Sequence, residues 1–200
     1  GGVYLAPLYW HDGLASEDTS LPPANGILLP EKAAEPEYIR IPMNAYRDKM
    51  TAGWLGQMVG VSWGYPVEFK YLAERVPEME VPTWKPEMIN DAFEQDDLYV
   101  EMTFLRTLQI YGYDVSIRQA GIDFANSQYP LWHANEAGRF NLRQGIAPPD
   151  SGHPKFNSHA DDIDYQIESD FAGLISPGLP NHTVFLGNTF GRLMNYGDGL

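Results

Sequence analysis

Sixteen prolines cut this chain of 200 residues into short pieces, and each piece long enough to carry a pattern carries a helical one. Proline removes a backbone donor and clashes with the preceding turn, so it ends helices and is excluded from central strands. Between the prolines, apolar residues recur at three- and four-residue steps, the period of a helix with one buried face. Nowhere does apolar and polar alternation run longer than a few residues. The expected fold class is all-α.

Residues 1 to about 42 hold Pro7, Pro22, Pro23, Pro30, Pro36 and Pro42 without lasting periodicity, which reads as an irregular leader or linker. A helical domain is expected from residue 43 to 200. Its first helix runs from about Ala45 to Ser62, with Asn44 as N-cap and Tyr46, Met50, Trp54, Met58 and Val61 along one side. A loop-rich stretch with Pro66, Pro77, Pro82 and Pro86 leads to about Glu94. A second helix carries Tyr99, Met102, Leu105 and Leu108 and stops at Gly112. Ser116 caps a third, to about Gln128, with Ile117, Gly121, Phe124 and Ala125 facing inward. A fourth spans Trp132 to Arg143, a fifth about Asp161 to Ile175, and a sixth follows Asn181 with Val184, Leu186, Phe190 and Leu193 as its apolar side.

The formal net charge of -14, from 27 acidic and 13 basic residues, argues against nucleic acid or an anionic membrane as partner and suits a site that gathers cations. There is no cysteine, which removes disulfides, a thiolate nucleophile and Cys-ligated zinc. No apolar run reaches the ~18 residues of a membrane-spanning helix. The compartment stays open.

Three constellations carry possible chemistry. Gly53, Gly56, Gly60 and Gly64 line one side of the first helix, where each interior glycine costs about 1 kcal/mol against alanine. The column asks for a close neighbour, either another helix or a ligand, and it ends by delivering Glu68. The second is Glu94-Gln95-Asp96-Asp97 with Glu101. Acidic residues suit a first helical turn, but Asp97 and Glu101 share a face and repel unless a cation lies between them. In the third, Asp161, Asp164 and Glu168 form a helical stripe opposite Ile163, Ile167, Phe171 and Leu174. That stripe is either a solvated acidic face or oxygen ligands for a hard cation such as Mg²⁺ or Mn²⁺. His133, His153, His159 and His182 are too far apart in sequence for ligand spacing and read as loop or helix-end residues. No metalloprotease, phosphate-loop or G-x-S-x-G pattern is present.

Taken in this order, the segments resemble the ADP-ribosylglycohydrolase family. Its opening signature, G-x-x-x-G-D-x-x-G-x-x-x-E, is matched by Gly56, Gly60, Gly64 and Glu68, with Val61 in place of the Asp. Its Thr/Ser-Asp-Asp-Thr signature is matched by Gln95-Asp96-Asp97-Leu98, which keeps both aspartates and replaces both hydroxyls. The run from Ala160 to Glu168 resembles a divergent sub-branch.

The resemblance implies a multi-helical ADP-ribosylglycohydrolase-like bundle that hydrolyses an N- or O-glycosidic bond of ADP-ribose or a related ribose-like glycoside. It implies divalent cations, Mg²⁺ or Mn²⁺, two in the full-length protein, held by Gln95, Asp96 and Asp97. It implies catalytic roles for Glu68, Asp161 and Asp162, and substrate contacts from Gly64, Asn157, His159 and Asp164. The expected partner is a small-molecule or sugar-modified substrate, with no nucleic acid and no membrane. The closing D-x-D-T/S signature of the family has no counterpart up to Leu200, so the chain is expected to be a fragment whose remaining ligands lie downstream. Two alternatives remain: hydrolysis of another glycoside, a glycan or nucleoside, and a non-catalytic sugar- or nucleotide-binding protein, for which Val61, Gln95 and Leu98 speak.

Overall fold

The structure, a computed structural model, describes residues 2–4 and 40–200. The expected irregular leader over residues 1 to 42 falls largely outside the described residues. The chain divides into two compact units, Gly1–Arg47 and Asp48–Leu200. In the first, Gly2–Tyr4 (β1) and Arg40–Pro42 (β2) pair antiparallel, with Val3 opposite Ile41, a strand pair that no alternation in the sequence announces.

Helices make up nearly all the regular structure of the second unit, as expected: α1 Met43–Gly64, which begins at the end of the first unit, then α2 Asp96–Tyr111, α3 Ile117–Asn126, α4 His133–Arg143, α5 Asp164–Ile167, α6 Asp170–Leu174 and α7 Pro180–Gly191. The ends follow local chemistry. Gly112 takes φ 82° behind α2, a left-handed turn that glycine enters without a Cβ clash. The Ser116 hydroxyl accepts the Gln119 N–H at 3.2 Å at the start of α3. Pro180 opens α7, where its missing N–H costs nothing. No helix among the described residues is long and apolar enough to cross a membrane.

The core is a knot of phenylalanines. Phe104 from α2 has its ring centroid 4.7 Å from Phe190, 5.7 Å from Phe124 and 5.8 Å from Phe171, so one residue joins α2, α3, α6 and α7. Val100, Leu186, Leu193 and Met194 complete it. Val184, expected on the inner side of α7, is 62% exposed; Leu186, Phe190 and Leu193 carry that packing alone.

Two expectations need correction. The glycine column meets a neighbour only at Gly53, where a Cβ would run into the Leu174 side chain; Gly56, Gly60 and Gly64 border nothing within 4 Å among the described residues. The fifth helix is also not continuous. Asn195 explains its late start: its amide donates to the carbonyls of Ala160 and Asp162 at 2.9 and 2.7 Å, and its Oδ1 accepts the Tyr165 N–H at 3.0 Å. Those carbonyls are taken from the helix, so Asp161 and Asp162 stay in a turn. At the other end Glu101 accepts the Asp170 N–H at 2.7 Å and caps α6, which fixes the bend at Glu168 and Ser169. The two stripes are also mixed: Asp164 and Glu168 are buried, as is Phe171, whereas Ile163 is 58% exposed and Asp161 is exposed.

Candidate functional site

Asn135, at the third position of α4, gathers the site. Its Oδ1 reaches back to accept the Trp132 N–H at 2.9 Å, which fixes the side chain. Its Nδ2 then donates to Asp96 Oδ2 at 3.0 Å and to Glu168 Oε1 at 2.7 Å. Its backbone N–H donates to Asp164 Oδ1 at 2.9 Å. One buried residue thereby ties three carboxylates, from the start of α2, the start of α5 and the bend after α5.

The tie leaves oxygens over. Asp164 Oδ2 and Glu168 Oε2 are buried and have no hydrogen-bond partner among the described residues. Burial is the main cause that raises both carboxyls above the ordinary carboxylate range, opposed by the Asn135 donors and reinforced by the negative charge of Asp96. Asp97 is pushed up to about 6, first by burial and then by its neighbours Asp96, Glu68 and Asp170. Glu101 is pushed up to about 8 by burial and by Asp170. Several carboxylates that cannot all be charged at once, with oxygens left unpaired, make a wall that a proton or a cation relieves.

The wall faces a cavity of about 890 Å³. Glu68, Glu94, Asp96 and Asp164 line it, together with Gln95 and His133. Six aromatic side chains add to the lining: Tyr65, Phe69, Phe93, Tyr99, Tyr129 and Trp132. Phe69, Phe93 and Trp132 are exposed, at 73%, 77% and 49%, so the rim is aromatic. No lysine or arginine stands among the described lining residues.

The residues singled out from sequence divide into three groups. Glu68, Gln95, Asp96 and Asp164 meet on the cavity, and Asp97 lies close enough to feel Glu68 and Asp96. Asp162 and His159 sit beside it as a pair, His159 Nδ1 to Asp162 Oδ2 at 2.7 Å, and the His159 ring stacks on His133 with centroids 5.4 Å apart. Asp161, Asn157 and Gly64 are not among the lining residues. Asp161 is exposed and lies against Gly197 instead. Asn157 is 1% exposed; its amide donates to the carbonyls of Ala134 and Met194 at 3.0 and 2.8 Å, and its Oδ1 accepts the His159 N–H at 2.9 Å. Every polar atom of that side chain is spent on the fold, so the substrate contact expected of Asn157 is corrected to a structural clamp.

Sequence reasoning missed Asn135 and His133. The signal for Asn135 was an amide three residues past Trp132 at a helix start, the capping position. His133 gave none, because its neighbours in space come from another loop. Comparison of the chain with family models, with curated proteins and with solved structures gives no match.

Proposed function

We propose that this chain is a metal-dependent hydrolase that cleaves the N- or O-glycosidic bond of a ribose-like glycoside, with ADP-ribose or a relative as substrate. The observation that carries the reading is the single tie of Asp96, Asp164 and Glu168 through Asn135, on the wall of a cavity that Glu68 also lines. The donor set, all carboxylate and amide oxygen at the cavity and beside it, fits a hard divalent cation, Mg²⁺ or Mn²⁺. Gln95, Asp96 and Asp97 are the residues that would hold it. When bound, such a cation supplies positive charge that orients sugar hydroxyls or phosphate and stabilises developing negative charge.

The remaining roles belong to the chain. Glu68, exposed on the cavity side, orients a water and takes its proton as the water oxygen bonds to the anomeric carbon; the glycosidic bond breaks, and the departing nitrogen or oxygen keeps its electron pair and takes up a proton from solvent. Asp164 fixes the sugar from another part of the wall, held in place by the Asn135 N–H. The aromatic rim offers apolar surface to the sugar or its leaving group.

A second reading has its own support. Four carboxylates and no lysine or arginine among the described lining residues repel a diphosphate, whereas aromatic rings suit the apolar face of a sugar or a base. That favours a neutral nucleoside or glycan as substrate. Replacing Asp96→Asn together with Asp97→Asn is expected to lower Mg²⁺ or Mn²⁺ affinity and glycoside hydrolysis together; unchanged hydrolysis ends the proposal. Release of ADP-ribose from a modified protein, set against a panel of pentofuranosides, separates the two substrates.

A further inference from the structure

We propose that His133, Asp162 and Asp164 form a separate site for a divalent transition-metal cation. It lies beside the Gln95, Asp96 and Asp97 group, shares Asp164 with the hydrolase reading, and is tested by metal binding alone.

One donor atom from each of the three residues lies within 4.8 Å of the others. An ion ~2.0–2.2 Å from nitrogen and oxygen ligands is reached by small rotations of the two outer residues. His133 is exposed and Asp162 half-exposed, which leaves room for them.

Asp164 is the fixed ligand. It is 4% exposed, its Oδ1 is held by the Asn135 N–H, and its Oδ2 is buried with no donor among the described residues. A buried carboxylate oxygen without a partner is uncommon in folded proteins and calls for an ion or a proton. An acidic patch on the surface has no such member.

The outer residues are also arranged. His159 Nδ1 engages Asp162 Oδ2 at 2.7 Å, which orients that carboxylate in the way residues behind a metal orient its ligands. Stacking of the His133 and His159 rings, 28° apart in plane, sets the direction of the His133 imidazole. His133 and Asp164 both line the cavity, so a cation here keeps coordination positions open toward it. The chemical class follows from the ligands. One imidazole with two carboxylates suits Mn²⁺, Fe²⁺ or Zn²⁺, whereas Mg²⁺ prefers oxygen alone.

Mn²⁺ titration with pulsed electron paramagnetic resonance tests this directly, because a coordinated imidazole imprints a nitrogen modulation on the Mn²⁺ signal. The intact chain is expected to show that modulation. His133→Ala should abolish it and weaken Mn²⁺ binding at this site by roughly tenfold or more, and Asp162→Ala should weaken binding similarly. His159→Ala, a change at a positioning residue, should weaken binding less and keep the modulation. The Asp96→Asn, Asp97→Asn variant should keep it as well, whatever becomes of hydrolysis. Circular dichroism checks that each of these substitutions leaves the fold intact. Absence of nitrogen modulation in the intact chain, its survival in His133→Ala, or its loss in the Asp96→Asn, Asp97→Asn variant overturns the proposal.

Discussion

Asn135 uses both ends of its amide and its backbone N–H on the acidic wall and the helix start that carries it. The side chain is uncharged, so it lowers the repulsion among Asp96, Asp164 and Glu168 only by donating. Asn135→Asp keeps the shape and turns the Nδ2 donor into another oxygen. In the metal-free protein it is expected to destabilise the fold by roughly 3 kcal/mol at pH 8, since a buried charge is left without compensation. The loss should be smaller at pH 5, where the crowded carboxyls retain protons. Urea unfolding at the two pH values reads this; an equal loss at both would show that charge is not the cause. Glu68, Gln95, Asp96 and Asp164 were legible from residue type and order, whereas Asn135 and His133 were not. Their importance lies in which strangers they meet, and a single sequence does not state that.

Glu101 and the bend between α5 and α6 belong together. The Glu101 carboxylate accepts the Asp170 N–H and so supplies the cap that α6 lacks in its own sequence. Its carboxyl, pushed up to about 8, lies above the ~4.3 of an unfolded chain. A raised carboxyl contributes stability that is complete below the unfolded value and is lost as pH climbs through the folded one. Glu101→Gln keeps an oxygen for the Asp170 N–H and cannot ionise. Relative to the parent, the variant should gain stability between pH 5 and pH 9, measured by chemical unfolding of the metal-free protein; a difference that does not change with pH would refute the assignment. The longer helices were readable from period, cap and proline, with α2 to α4 and α7 starting and stopping close to expectation. The stretch from Asp161 to Ile175 was misread because Asn195 and Glu101, both distant in sequence, take or supply the backbone bonds that decide where helix begins.

In the helical unit, the apolar core and the acidic wall are built in different ways. Phe104 is the hub of the aromatic core and touches rings from three other helices. Phe104→Ala should cost about 3–5 kcal/mol, read as a lower urea midpoint. A loss below about 1 kcal/mol would mean that the core closes around the gap more freely than its packing suggests. The wall, by contrast, is assembled across long stretches of chain, since the three bonds from Asn135 span 29, 39 and 33 residues. Contacts that distant form only after the intervening loops have closed. A newly made chain therefore carries Asp96, Asp164 and Glu168 as ordinary wetted acids, apart from one another. The crowding that lifts the carboxyls of Asp164 and Glu168 arrives late, with the docking of α4 onto the turn that leads into α5, and a peptide cut short of either stretch lacks it.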